Sequence, residues 1–384
     1  MVNVQTPWML PLCPAPPTWR IDWDGAMAMF PWLQQLAGVP QDPEYHAEGD
    51  VLTHTRMVAE SMVAMPAWQA LPEHERSTLF LAALLHDIGK PSTTRHEPDG
   101  HISSRGHARR GAQLARQLLW SSEGVGAALP FAAREAVVAL VRMHGLPLWF
   151  VEKDDPDRAV FAASYRASLA QVALLAEADA RGRSCPDQDD LIGRVDLFRA
   201  VCAEHGCLAL PRPFPSDHSR VRYFRMAQAD PSYHAYDETW GEVLLLSGLP
   251  GAGKDTWLRQ HAPDLPVVSL DAIRRQMGVD PGDSQGAVVQ AAKEQARELL
   301  RRRRPFAWNA TNITRQLRDP LIDMLLAYGA RCRVVYLDAP LPTVLRRNRD
   351  RAASVPQSVI LRLVGKLDLP DLTEAHAVEY VAQG

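Results

Sequence analysis

Apolar residues recur at three- and four-residue steps from Leu52 to about Gly182, then gather after Trp240 into short solid runs. In the first stretch HTRMVAESMVAM sets Met57, Val58, Ser61, Met62 and Met65 on one helical face. STLFLAALLHDIGK is an apolar helix ended by Gly89 and Pro91. AAREAVVALVRMHG and the run from Ala159 to Arg181 repeat the period, with no strand-like alternation between them. This predicts an all-α domain. In the second stretch VLLLS, PVVSL, FAWNA and CRVVYLD read as buried strands, alternating with helices that start near Lys254, Asp271, Ser284, Ile313 and Pro340. That alternation predicts a parallel sheet with helices on both faces. Residues 1–45, rich in proline and tryptophan, show little periodicity, and 208–240 are dense in proline and aromatics. The expected organisation is an all-α domain over 1–207, a connector over 208–240 whose Tyr223, Phe224 and Trp240 need burial, and an α/β domain over 241–384.

At 384 residues the chain exceeds one ordinary domain, which agrees with that division. Five scattered cysteines, an odd number, argue against a disulfide framework, and Cys202 and Cys207 lack the second pair that a zinc site needs. No basic and then apolar leader opens the chain, and no run of about 18 apolar residues occurs, so a cytoplasmic protein without a membrane partner is expected. Charge is uneven: residues 241–384 hold 20 Lys+Arg against 16 Asp+Glu, the preceding 240 hold 22 against 29. A basic C-terminal half suits a polyanionic ligand. Arg301 to Arg304 either contact such a ligand or close a helix whose C-terminal dipole favours cations.

The helical half carries metal chemistry. A hydrolytic centre needs neutral imidazoles and carboxylates converging from several helices, with a coordination position left for water. His86 and Asp87 are adjacent at the end of an apolar helix, His54 opens another, and Asp179 sits near the end of a third. Together they make one divalent site, at which bound water ionises near pH 7 rather than about 15.7. His107 begins the next helix and His144 ends another; if they join, Asp87 can bridge two ions and a phosphate can be clamped between them. His101 competes with His107, which the start of a helix directs better. Lys90, three residues past Asp87, could neutralise a phosphate oxygen.

YHAEGDVLTHTRMV, HDIGK, SRGHA, RMHG and EADARG resemble the HD phosphohydrolase superfamily, and most of all the HD domain attached to bacterial tRNA nucleotidyltransferases, over roughly residues 30–185. The resemblance implies His54, His86, Asp87 and Asp179 as core ligands of a divalent transition metal (Mn, Co, Ni or similar), with His107 and His144 for a second ion. No nucleotidyltransferase motif precedes the HD region, so CCA addition is not expected.

The second half carries a phosphate cradle. EVLLLSGLPGAGKDTW runs a strand into a glycine loop and then a helix, the context a phosphate-binding loop requires. Gly248, Gly251, Ala252 and Gly253 form the loop that turns backbone N–H groups to ATP or another NTP. Lys254 reaches the β- and γ-phosphates, and the helix N-terminus adds its dipole. Asp255 stands where Ser or Thr is usual, followed by Thr256, and either could serve Mg²⁺. Asp271 leaves a strand end with Arg274 one turn later, placed as a base for an acceptor hydroxyl beside an arginine on the moving phosphoryl group; a helix cap with a solvated arginine is the rival reading. Arg347 and Arg351, four apart on one helical face, could close over the phosphates or form a solvated face. Asn312, Arg315 and Arg318 are further candidates for acceptor contact.

GxPGxGK, LDxxR, NATN and RRNRDRxxxVP are similar to the phage-type 5′-hydroxyl polynucleotide kinases over about residues 242–368. This implies Asp271 as general base, Arg274 on the scissile phosphate, and Arg347 and Arg351 on donor phosphates. The order of the two halves resembles bacterial HD–polynucleotide kinase RNA-repair enzymes. In those, one half removes 2′-, 3′- or cyclic phosphates and the other phosphorylates 5′-OH ends. RNA ends (or DNA ends) and a partner RNA ligase follow as expectations from the resemblance. Spacing alone gives a metallophosphohydrolase joined to a P-loop phosphotransferase, which a nucleotidase fused to a metabolite kinase would also satisfy.

Overall fold

The computed structural model describes residues 8–122, 124–279, 285–350 and 354–382. Contacts divide the chain into two units, Met1–Pro213 and Phe214–Gly384.

The first unit is helical. Its principal helices are α1 (Val51–Ala64), α2 (Glu73–Leu85), α3 (His107–Leu119), α4 (Phe131–Met143), α5 (Leu169–Arg181) and α6 (Gln188–Glu204). Asp50 caps α1 by accepting the Thr53 N–H at 2.8 Å, a contribution of about 1 kcal/mol. Every residue of α2 from Ser77 to Leu85 is buried, so this helix is apolar all round because α1, α4 and α5 pack on it. Burying each of its leucines contributes roughly 1.5–3 kcal/mol. The aperiodic N-terminal segment is anchored by Phe30, Trp32, Leu33 and Leu36, all buried, and by the Leu10 N–H on Ser77 Oγ at 3.1 Å. A two-residue antiparallel hairpin, Arg95–His96 with Ile102–Ser103, lies between α2 and α3; it is too short to show alternation in the sequence.

The second unit holds a five-stranded, all-parallel sheet: β1 (Glu242–Ser247), β2 (Val267–Ser269), β3 (Ala307–Asn309), β4 (Arg331–Asp338) and β5 (Ala377–Ala382), ordered β2-β3-β1-β4-β5. Four strands coincide with the sequence expectation. β5 is the addition; AVEYVA is half-exposed at the sheet edge and neither solidly apolar nor strictly alternating. Helices α8 (Lys254–His261), α9 (Leu270–Gln276), α10 (Gly286–Arg301), α11 (Arg315–Ala327) and α12 (Leu341–Arg349) follow the strands, and Gln357–Val364 adds one more. The expected start of α10 at Ser284 lies outside the described residues. Val243, Leu245, Trp308, Val334, Ala296, Leu300, Ile322 and Leu325 form the core beside the sheet.

Most of the aromatic stretch before β1 belongs to this unit by its contacts. Helix α7 (Asp217–Arg225) is capped by Ser216 and sends Arg220 to the carbonyls of Leu372 (2.9 Å) and His376 (2.7 Å). Trp240 Nε1 donates to Tyr328 O at 2.7 Å, so the aromatics find burial against the α/β core. No single helix among the described residues is long and apolar enough to cross a membrane.

Candidate active sites

In the helical unit the turn after α2 carries His86 and Asp87 to the centre, where α1 brings His54, α5 brings Asp179, the start of α3 brings His107 and the end of α4 brings His144. The close approach is made by Gly89. A Cβ there would lie 2.2 Å from His107 O and 2.7 Å from Gly111 N, so only glycine lets α3 deliver His107 beside Asp87.

His54 Nε2, His86 Nε2, Asp87 Oδ2 and Asp179 Oδ1 converge: His54 is 3.3 Å from His86, 3.7 Å from Asp87 and 3.1 Å from Asp179, and His86 is 3.2 Å from Asp87. On the other side of the same carboxylate, His107 Nε2 lies 3.5 Å from Asp87 Oδ1 and 3.2 Å from His144 Nε2. Asp87 is thus shared between two histidine pairs.

The tautomers follow from the far side of each ring. Nδ1 of His86 faces Ala83 O at 2.7 Å, that of His107 faces Ser104 O at 2.9 Å, and that of His144 faces Val141 O at 2.9 Å. His54 Nδ1 faces Glu48 Oε1 at 2.8 Å and Gly182 O at 3.3 Å. Carbonyls and carboxylates only accept, so each Nδ1 carries the proton and each Nε2 lone pair turns inward. The centre therefore turns imidazole lone pairs and carboxylate oxygens toward one another, an arrangement that suits a divalent cation. Two sets, His54 with His86 and Asp87, and Asp87 with His107 and His144, have ligand atoms within 4.8 Å of one another. Imidazole and carboxylate suit borderline divalent ions such as Zn, Fe, Co, Ni and Mn. The donor set fits the expected metal.

The shifts divide the imidazoles: burial would lower His86, but Asp87 and Asp179 outweigh it and push it up, whereas His107 and His144 go down. Burial pushes the His144 imidazole down to about 3, with the rings of His107 and His86 adding to it, and burial lowers His107 too. Both are neutral at pH 7, as ligands must be. Burial would raise the Asp87 carboxyl, but Lys90 and His86 outweigh it and hold it well below the usual range; for Asp179 the outweighing partners are Arg183 and His54. Lys90 Nζ is buried, 2.7 Å from Asp87 Oδ2 and 2.6 Å from Gln41 Oε1. His101 stands away from the centre, on Asp42 at 3.0 Å.

Three supporting residues escaped the sequence reading. Glu48 holds His54 and His46, each at 2.8 Å, and so orients the first imidazole. Gln41 steadies Lys90. Arg183 grips Asp179 with Nη2 at 2.7 Å and Nε at 3.1 Å. Its four-residue spacing from Asp179 was the available signal.

In the second unit β1 runs into the loop 248–253, where Gly248, Gly251 and Gly253 take φ of 149°, 86° and 100°. The loop rests on the backbone of α12: a Cβ at Gly251 would come within 2.7 Å of Val344 O and 3.3 Å of Asn348 N. Arg347, on the same helix, is exposed. Arg351 lies outside the described residues. The Gly248 N–H is spent on Thr311 O (2.9 Å) and that of Ala252 on Leu249 O (3.1 Å), so these two brace the loop rather than point out of it. Lys254 Nζ bonds Gly248 O at 2.7 Å and Leu249 O at 3.0 Å. Asp255 Oδ1 accepts from Asn309 Nδ2 at 2.5 Å, which ties the start of α8 to the end of β3; Thr256 is exposed and accepts from Arg259 at 3.1 Å.

Asp271 opens α9, but the cap is Ser269, whose Oγ accepts the Ala272 N–H at 3.3 Å. Asp271 is not spent as a cap; its carboxylate is 57% exposed and takes Arg274 Nη1 at 2.5 Å, while Arg274 Nε holds Gln285 at 2.7 Å. β2 lies two strand positions from β1, about 10 Å across, and Asp271 and Lys254 each follow the C-terminal end of one of these parallel strands. Arg318 is a correction. It is fully buried and donates to both oxygens of Glu374 (2.7 and 2.8 Å), to Asn312 O and to Asp368 O, leaving no group for an acceptor. Asn312 spends its amide on Leu246 O at 2.8 Å, and Arg315 reaches Thr373 at 3.0 Å.

Residues 51–180 match the HD domain family and residues 243–370 the AAA domain family. The chain carries a helical HD domain followed by a P-loop kinase domain on a parallel five-stranded sheet. A Multifunctional CCA protein of Thioalkalivibrio sulfidiphilus is 34% identical over 193 residues, covering 48% of this chain and 42% of that protein. Its counterpart in Cupriavidus metallidurans is 31% identical over 201 residues, covering 47% and 42%. The chain thus spans 42% of the length of each of these relatives. Among solved structures, a chain of the Pnkp1/Rnl/Hen1 RNA repair complex is 20% identical with a TM-score of 0.33, covering 38% of this chain and 52% of its own. A kinase from Chloroflexus aurantiacus is 19% identical with a TM-score of 0.32, covering 38% and 86%.

Proposed function

We propose that this chain heals broken RNA ends. The HD domain removes 2′-, 3′- or 2′,3′-cyclic phosphate, and the P-loop domain phosphorylates the 5′-OH, leaving ends that a ligase can join. The observation that carries the reading is the pairing in one chain of a buried histidine–carboxylate cage with a phosphate-donor cradle: one site takes phosphate off, the other puts it on.

In the HD domain His54, His86, Asp87 and Asp179 would hold one divalent transition-metal ion, and Asp87 with His107 and His144 a second. Such ions lower the pKa of water and neutralise phosphate oxygens. Water adds to phosphorus, the bond to the sugar oxygen breaks, and that oxygen leaves with a proton; a 2′,3′-cyclic phosphate takes a second water to break its remaining ester bond. Lys90 stands ready to take a phosphate oxygen. In the kinase domain Asp271 accepts the 5′-OH proton, the oxygen attacks the γ-phosphorus of ATP or another NTP, and the nucleoside diphosphate leaves. Lys254, Arg274, Arg347 and Arg351 stabilise the charge that develops, and Mg²⁺ beside Asp255 or Thr256 would share that task.

The test is one oligoribonucleotide bearing a 5′-OH and a 2′,3′-cyclic phosphate. Asp87→Ala should abolish phosphate release and spare 5′-phosphorylation; Asp271→Ala should do the reverse. Activity on mononucleotides and small metabolites with none on the oligonucleotide would overturn the reading.

A further inference from the structure

The HD centre opens into a cavity of about 740 Å³, whose wall includes Asp87, Lys90, His107 and His144 and, further out, Trp149. That volume lies in the range of whole small-molecule sites, roughly 300–1,000 Å³, and far exceeds what a phosphate fills. Trp149 is the large aromatic of the short helix Leu146–Trp149 and is 38% exposed. The Arg194 guanidinium lies 4.9 Å from its ring centroid and is itself held by Leu148 O and Glu152 Oε1, both at 3.0 Å. Trp149 belongs to the cavity wall and Arg194 does not. The arginine braces one face of the ring.

The path from the metal cage to this ring is short. Trp149 stands five residues beyond His144, across the turn His144–Gly145 that separates α4 from the short helix Leu146–Trp149. Exposed Arg105, Arg142, Lys153 and Arg166 also line the cavity, a cationic setting for the phosphates of an attached strand.

We propose that Trp149, backed by Arg194, is a stacking platform for the base of the terminal nucleotide whose phosphate sits at Asp87, so that the HD domain selects nucleotide ends over bare sugar phosphates. The inference rests on the end-healing reading for its substrate, but its test does not require turnover. The probes are the non-hydrolysable methylene phosphonate analogues of adenosine 3′-phosphate and ribose 3-phosphate, titrated calorimetrically into the Mn²⁺-loaded full chain.

The wild type should bind the adenosine probe about tenfold more tightly than the ribose probe. Trp149→Ala and Trp149→Leu should bring the two affinities within twofold, chiefly by weakening the adenosine probe. Trp149→Phe should keep a several-fold preference. The Leu variant preserves apolar packing without a π face, so it reads the platform even if the Ala variant is unstable. Equal affinities in the wild type, or a preference that survives Leu, would overturn the proposal. Failure to release phosphate from RNA ends would remove the healing function while leaving this comparison intact.

Discussion

The two phosphate sites are built in opposite ways. Around Asp87 the side chains of His54, His86, His144 and Asp179 are all at most 3% exposed, and each of these imidazoles is pinned on its outer nitrogen. Around the P-loop, Asp271 is 57% exposed and Arg347 is exposed. The contrast is one of dielectric. Gathering acceptors inside a protein is costly unless every partner is fixed beforehand, so the cage must be rigid to exist at all. A triphosphate brings its own charge, and backbone dipoles with long arginines can assemble around it at little cost to the free protein.

That contrast predicts how each site breaks. The largest effect belongs to Asp87→Ala, which removes an oxygen from both histidine pairs: phosphate release should fall more than about a thousandfold and bound metal should drop in parallel, measured by elemental analysis. Asp271→Ala should lower 5′-phosphorylation by about 10²–10⁴-fold with no change in ATP binding, because a base acts on the acceptor. A loss of nucleotide affinity instead would make Asp271 part of the cradle.

Glu48→Gln sharpens the claim of rigidity. It keeps shape but weakens the hold on His54 Nδ1, so metal affinity should fall about 10–100-fold while the thermal midpoint barely moves. Equal metal affinity would mean that the outer partner is dispensable.

The smallest effect tests the helical scaffold by pH. Burial would raise the Glu135 carboxyl, but Arg116 at 2.7 Å and Arg134 at 2.9 Å outweigh it and hold it below its ordinary 4.5. A depressed carboxyl stabilises fully above its unfolded value and loses that contribution as pH falls through the folded one. The urea midpoint of the helical unit should therefore decline from pH 5 toward pH 3, and Glu135→Gln should flatten that decline. An unaltered slope would assign acid sensitivity to the metal cage alone.

How much was legible in the sequence follows the same divide. His86 and Asp87 stood out, since two polar residues ending an otherwise apolar helix need partners, and the structure brings them together with His54 and Asp179. The strand-loop-helix context gave the P-loop. Glu48 was hidden because it lies just outside α1 and matters only through contacts at His54 and His46. Arg318 misled because its helix reads as polar, while the carboxylate that buries it, Glu374, lies 56 residues away. β5 was missed because an edge strand needs neither a solid nor an alternating apolar pattern.

The seam between Gly251 and the carbonyl of Val344 has an engineering consequence. Any attempt to transplant an arginine arm from another kinase onto this scaffold must reproduce a bare main-chain abutment before it reproduces a single charge. A graft matched on arginines but mismatched at that joint would pry open the cradle and fail for reasons of carpentry.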